Sequence, residues 1–328
     1  SFVFSLFFVL LFFSFVLESL PQGIYNRIGN FCRFCGKTIK EPAYVSHCAK
    51  NALNASVIQM DIQAPLVARK ARPGQFVILR VDGQGERIPL TIAGCDEQAG
   101  TVRIIFQMVG ATTLLLGQKA AGESIPDFVG PLGTATELAG LQRVCVVGGG
   151  VGCAIALPIA QALHAQGANV TSIIGFRGAE QAILQKDFAA CSDKLILTTD
   201  DGSLGRRGNV TVPLGEMLAA GETFDRIFAI GPLVMMKYVV ETARPYGVPV
   251  TVSMNPIMID GTGMCGGCRL TLVQDGQRVA RFACVNGPDF DGYEVDFDEA
   301  MARSRMYAPF ERAAREHVCS LLTQAGEA

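Results

Sequence analysis

The chain has 328 residues, 49% of them hydrophobic and 18% charged, and this balance excludes a disordered or collagen-like protein. Its length fits two or three domains, each large enough to bury a core. With 28 Lys and Arg against 30 Asp and Glu, a formal net charge of -2 and no long run of either sign, nothing attracts nucleic acid or an anionic membrane. Small molecules and proteins are the expected partners.

Residues 1–17 read SFVFSLFFVLLFFSFVL, an uncharged run at the lower limit for a membrane span and beyond the usual apolar region of a signal peptide. No Lys or Arg precedes it, no small-residue cleavage pattern follows it, and the chain opens with Ser in place of Met. Residues 1–49 are therefore expected to be an extension whose leader is not authentic, on a cytoplasmic protein. A membrane anchor or export signal is the competing reading, disfavoured because metal-ligating thiols gain nothing from an oxidising destination. Cys32 and Cys35 form half of a zinc pattern, but His47 and Cys48 are adjacent and could hardly face one ion, so these are expected to be incidental thiols.

Residues 50–138 contain the runs VIQMDI, QFVILRV, RIPLTIAG and VRIIFQMVG, separated by turns. Short strands at regular spacing predict a small antiparallel β-barrel. Residues 139–254 change texture: a buried apolar strand at 144–147, a glycine cluster, a helix over 154–165 and a second strand at 170–174. Further apolar segments at 194–198, 226–230 and 248–253 extend this to an α/β domain with a parallel sheet. Residues 255–328 hold clustered cysteines, an acidic loop and a helix near 310–322.

Gly148, Gly149, Gly150 and Gly152 follow a strand and open a helix, so the backbone can approach a phosphate while helix amides face its charge. The pattern departs from GxGxxG, since Cys153 takes the third glycine position, and a tight turn without ligand is the competing reading. No carboxylate stands at the end of the second strand, where an NAD site usually has one. Arg177 stands there and suits a 2′-phosphate, so NADP(H) is expected, with Arg206 and Arg207 as further phosphate candidates and NAD(H) as the alternative.

Asp260, Cys265, Cys268 and Cys284 keep the C-x4-C-x2-C spacing and distant fourth ligand of a plant-type [2Fe-2S] site, with Asp in the first position. A carboxylate carries the same charge as a thiolate, so the total charge is kept while one iron gains a harder donor. Three Cys and one Asp also suit tetrahedral zinc. The spacing and the intervening glycines favour iron and sulfide. Cys145, Cys153, Cys191 and Cys319 lie in apolar or helical surroundings and are expected in cores.

Together with the segments at 73–77, 87–91, 130–133 and 231–236, these motifs resemble, in order and over about residues 53–328, the ferredoxin-NADP reductase superfamily. Within it the chain is similar to the small subunits of NADH-dependent ferredoxin:NADP oxidoreductase, also called sulfide dehydrogenase small subunits. It is similar too to the electron-transfer subunits of the type B dihydroorotate dehydrogenases. The resemblance implies FAD in the barrel. Arg87, Ile88, Pro89, Leu90 and Thr91 take the place of the flavin motif Arg-x-Tyr-Ser/Thr, with Leu90 for the aromatic, Thr91 keeping the hydroxyl and Arg87 one residue early. Gln107, Gly110, Thr112 and Thr113 match contacts to the rest of the FAD, although Thr112 and Thr113 also suit ordinary turn chemistry. Gly231 and Pro232 join the cofactor-binding positions.

The function so implied is exchange of hydride between NADP(H) and FAD, with single electrons passed through a [2Fe-2S] cluster to a partner. The implied partners are ferredoxin and a larger flavin and iron-sulfur subunit similar to a glutamate synthase small subunit. Asp260 points to the ferredoxin:NADP oxidoreductase side, since the dihydroorotate type carries Cys there. The alternatives are an electron-transfer subunit of dihydroorotate dehydrogenase and a non-redox nucleotide-binding module stapled by zinc. No catalytic side chain beyond the cofactors is expected; His47, His164 and His317 lie outside the motifs, with His164 on a helix surface.

Overall fold

Two-residue alternation builds the first sheet of the computed structural model, which describes residues 45–326 except Gln84. The leader, Cys32 and Cys35 lie outside the described residues, as do the side chains of His47 and Cys48. The strands are β1 (Val45–Ala52), β2 (Val57–Gln63), β3 (Phe76–Arg80), β4 (Arg87–Asp96), β5 (Thr101–Gln107), β6 (Ser124–Ile125) and β7 (Asp127–Leu132), with helix α1 (Ala111–Gln118) before β6. They pair antiparallel in the order β6-β1-β2-β5-β4-β3-β7. Ile58, Met60 and Ile62 of β2 meet Val102, Ile104 and Phe106 of β5 in one core, and Gln59, Asp61 and Gln63 between them are only half-buried.

The expected barrel does not close. The edges of the sheet are β6 and β7, consecutive in the chain and separated only by Pro126, and no ladder joins them. A proline has no backbone N–H to give to such a ladder.

The second sheet is built from β8 (Arg143–Gly149), β9 (Asn169–Phe176), β10 (Lys194–Thr199), β11 (Arg206–Arg207), β12 (Arg226–Ile230) and β13 (Val250–Ser253). After them come a hairpin, β14 (Arg269–Gln274) and β15 (Gln277–Phe282), and then β16 (Asp289–Asp291), which completes the second sheet. The order is β11-β10-β9-β8-β12-β13-β16, parallel except for β16 on β13. Helices α2 (Cys153–Ala165), α3 (Gln185–Ala190), α4 (Thr211–Ala219) and α5 (Leu233–Ala243) lie between its strands. The strand β8 is buried on both faces, so its apolar run is continuous: Val144 and Val146 pack with α2, while Cys145 and Val147 pack with α4 and α5.

The chain runs outward from β8 to β10, then returns to β12 on the other side of β8. This reversal makes the crevice between the ends of β8 and β12 the expected ligand position of such a sheet. The first sheet reaches the second through Val57, Ala93 and Ile105, which share a core with α2. Helices α6 (Phe297–Ser304) and α7 (Ala308–Gly326) follow, and among the described residues no helix is long and apolar enough to cross a membrane.

Candidate functional site

The crevice is made by glycines. Gly148 and Gly149 end β8, and Gly150 to Gly152 form a single 3-10 turn leading into α2. Gly150 has φ +56° and a Cβ there would meet nothing, so this residue faces open space. The neighbouring glycines serve packing. A Cβ at Gly152 would lie 2.5 Å from Ile230 O and 2.7 Å from Gly231 Cα, and one at Gly231 would lie 3.1 Å from Gly149 O. The expected cofactor residues Gly148, Gly149, Gly150, Gly152, Gly231 and Pro232 are thus brought together, with Pro232 immediately before α5. Cys153 replaces the third glycine because Gly148 makes room for it, a Cβ at Gly148 being 2.9 Å from Cys153 Sγ.

At the end of β9, Arg177 is exposed. Arg206 and Arg207 are both exposed, and Arg206 is engaged by Glu216 in an ion pair. A carboxylate that the sequence reading missed reaches the same edge from the next strand. The Asp201 N–H donates to Arg177 O at 3.3 Å, and Asp201 Oδ2 would lie 2.6 Å from a Cβ at Gly178. Hydrogen bonds from the Ser203 hydroxyl and N–H hold the Asp201 carboxyl below its ordinary range.

On the first sheet, Arg87, Ile88, Pro89, Leu90 and Thr91 form a half-buried run at the start of β4. Ile88 and Leu90 pack against the interior of the sheet. Arg87 Nε lies 3.1 Å from Asp127 Oδ2, an oxygen it shares with Arg80 Nε at 3.9 Å, so one carboxylate faces two guanidinium groups. Gln107 Nε2 donates to Ser56 Oγ at 3.4 Å. At the entry to α1 the Gly110 N–H donates to Thr113 Oγ1 at 3.0 Å, and that hydroxyl donates back to Gly110 O. Thr113 therefore does turn chemistry here, and Thr112 is buried.

In the cysteine loop, Cys268 and Cys284 are buried with their sulfurs 3.2 Å apart. They share a core with Phe76 and Ile78 of β3. Burial and the neighbouring Cys268 thiol push Cys284 up to about 12. Two adjacent buried thiolates are unfavourable without a cation between them. Asp260 is turned onto the backbone: its Oδ1 accepts the Thr262 N–H at 2.9 Å and its Oδ2 the Cys265 N–H at 2.8 Å. These bonds, the one from Thr262 foremost, hold its carboxyl below the usual range. Cys265 is exposed, and its sulfur accepts the Gly267 N–H at 3.5 Å. Among the described residues no three His, Cys, Asp or Glu side chains are grouped as a metal cage, so the structure pairs Cys268 with Cys284 and leaves Asp260 and Cys265 outside that pair. The donor set still suits an iron-sulfur group in its chemistry: two thiols and a carboxylate in one loop whose Gly261, Gly263 and Gly266 have positive φ, and a third thiol, Cys284, just past the hairpin that follows it. Cys145, Cys153 and Cys191 are buried as expected, but Cys319 is exposed on α7.

The family model for the iron-sulfur cluster binding domain of dihydroorotate dehydrogenase B matches residues 255–296, which include Asp260, Cys265, Cys268 and Cys284. A dihydroorotate dehydrogenase B (NAD(+)) electron transfer subunit homolog of Thermotoga maritima is 45% identical over 266 residues, 81% of this chain and 91% of that protein. The chain belongs to this family of electron transfer subunits. A dihydroorotate dehydrogenase B electron transfer subunit of Enterococcus faecalis is 33% identical, over 75% of this chain and 95% of its own length. A solved structure of the NADH-dependent reduced ferredoxin-NADP oxidoreductase, a flavin-based electron-bifurcating system, aligns with TM-score 0.78 and 41% identity. It covers 85% of this chain and 99% of that one. The chain is thus similar to both relatives that the motifs resemble. Asp201 was missed because it follows β10, and only the return of that loop onto Gly178 brings it to the end of β9.

Proposed function

We propose that the chain exchanges hydride between a nicotinamide dinucleotide and FAD and passes single electrons through a [2Fe-2S] cluster to a larger flavin and iron-sulfur subunit and to ferredoxin. The observation that carries this reading is the buried Cys268–Cys284 pair sharing one core with β3, the partner strand of the Arg87–Thr91 run. When bound, FAD would accept a two-electron hydride and release single electrons, and the cluster would carry them one at a time. Asp260, Cys265, Cys268 and Cys284 are proposed to hold the cluster. Thr91, Gln107 and the Gly110 to Thr113 turn are proposed to hold the flavin, with Arg87, which shares Asp127 with Arg80 and so leaves a net positive charge there, beside them. Gly148 to Gly152 admit the dinucleotide phosphates, with Gly231 and Pro232 walling the crevice.

The exposed Arg177 and Arg207 favour NADP(H). A second reading, NAD(H), is favoured by Asp201, whose carboxylate at the same edge would repel a 2′-phosphate and suits a ribose diol. The two are separated by anaerobic titration of the flavin absorbance with NADPH and NADH. For the NADP(H) reading, Arg177→Ala weakens NADPH more than NADH. Equal effects on both, or tighter NADPH binding by Asp201→Asn, assign the site to NAD(H). The purified complex is expected to reduce ferredoxin; oxidation of dihydroorotate in its place assigns the chain to the other branch of the family.

A further inference from the structure

A strap ties the cysteine region to the first sheet. The Thr134 N–H donates to Gly287 O at 2.7 Å, and Thr134 Oγ1 donates to Val285 O at 3.2 Å. Two residues on, Thr136 Oγ1 donates to Asp289 Oδ2 at 2.6 Å, while the Thr136 N–H donates to Pro73 O at 2.9 Å. Residues 134 and 136 therefore meet 285, 287 and 289 at the two-residue spacing of a strand. Cys284 comes immediately before the first of these. Two glycines shape the seat: a Cβ at Gly74 would collide with the Thr136 hydroxyl, and one at Gly133 would lie 3.0 Å from Gly287 O.

Asp289 closes the joint from a third side. In β16 it pairs with Ser253 of β13. Its other oxygen, Oδ1, is buried and accepts no hydrogen bond. A buried carboxyl with so few partners depends heavily on each one. Through its bond to Thr136, whose own N–H reaches Pro73 O, and its backbone pairing with Ser253, this one residue joins the first sheet, the dinucleotide sheet and the cysteine region.

We propose that Thr136 and Asp289 are positioning residues whose hydrogen bond fixes the Cys284 arm of the cysteine loop against the flavin sheet and so sets the rate of one-electron passage between them. The inference rests on the function proposed above. In that passage the flavin loses one electron and the cluster gains one, and neither positioning residue is oxidised or consumed. Misplacement on the scale of an ångström between reacting groups is costly in rate even when its origin is remote.

The test uses full-length protein carrying flavin and cluster, in wild type, Thr136→Val and Thr136→Ser. Thr136→Val keeps the shape and removes the hydroxyl; Thr136→Ser keeps the hydroxyl. Three quantities are read: flavin reduction by the nicotinamide nucleotide in rapid mixing, cluster reduction in the same mixing, and amide hydrogen exchange over residues 283–291. Thr136→Val is expected to leave flavin reduction within about twofold, to slow cluster reduction about tenfold, and to raise exchange over 283–291, with Thr136→Ser restoring all three. Unchanged cluster reduction in Thr136→Val overturns the proposal, whether or not exchange rises. If Thr136→Val does not fold, Thr136→Ala, which removes the same hydroxyl with a smaller side chain, carries the same comparison with the same two outcomes. Wild-type protein that holds neither flavin nor iron removes the underlying function, an outcome distinct from coloured variants that behave as wild type.

Discussion

Asp260 spends both carboxylate oxygens on backbone N–H groups of its own loop, and those bonds hold its carboxyl below the usual range, so it keeps its charge to lower pH than an ordinary Asp. A ligand carboxylate needs this charge, and the bond to the Cys265 N–H keeps it beside the next proposed ligand. Asp260→Ala is expected to lose or destabilise the cluster, and Asp260→Cys to keep one with an altered reduction potential, since a softer donor replaces a harder one. Iron content and the reduced-state EPR signal check this; an unchanged signal in Asp260→Ala removes Asp260 from the ligand set. The spacing around Asp260 was legible because ligand spacing is local. Asp201 and Thr136 were not, because each matters through a segment distant in sequence: Asp201 through Gly178, and Thr136 through Asp289, 153 residues away.

At the scale of elements, the parallel strands were legible because a strand buried on both faces reads as a continuous apolar run. The closure of the first sheet was not, since it depends on whether β6 can bond past Pro126. The hairpin of β14 and β15 was also passed over in the reading of residues 255–328. Its turn places Asp275 at φ 51° and Gly276 at φ 75°, the two positive angles of a type I′ turn, and the Asp-Gly pair was its signature. The glycine-rich turn makes two different demands on its residues. At Gly152 a methyl meets the backbone of Ile230 and Gly231, which cannot move without shifting β12, so Gly152→Ala should cost about 1–3 kcal/mol. At Gly150 the space is open and only the positive φ opposes a side chain, so Gly150→Ala should cost about 1–2 kcal/mol. Urea unfolding followed by circular dichroism checks both, and Gly152→Ala as stable as wild type would contradict the packing role of that glycine.

Across the whole molecule, the flavin-motif strand and the glycine crevice lie on two sheets that share their cores, with Phe76 and Ile78 on one side and Val57, Ala93 and Ile105 on the other, and the buried thiol pair packs into the first of these cores. This continuity places both halves of the proposed chemistry on one packed body: hydride chemistry needs the crevice, and single electrons need the loop. The zinc-stapled alternative shares the fold but predicts no visible chromophore, since zinc has no redox or d-electron transitions. The deciding measurement is an anaerobic preparation, reconstituted with iron, sulfide and FAD, followed by absorbance spectroscopy with iron and flavin analysis. The expected result is one FAD and two irons per chain, with flavin absorbance that bleaches on adding a nicotinamide nucleotide; a colourless protein that retains zinc instead would contradict the account.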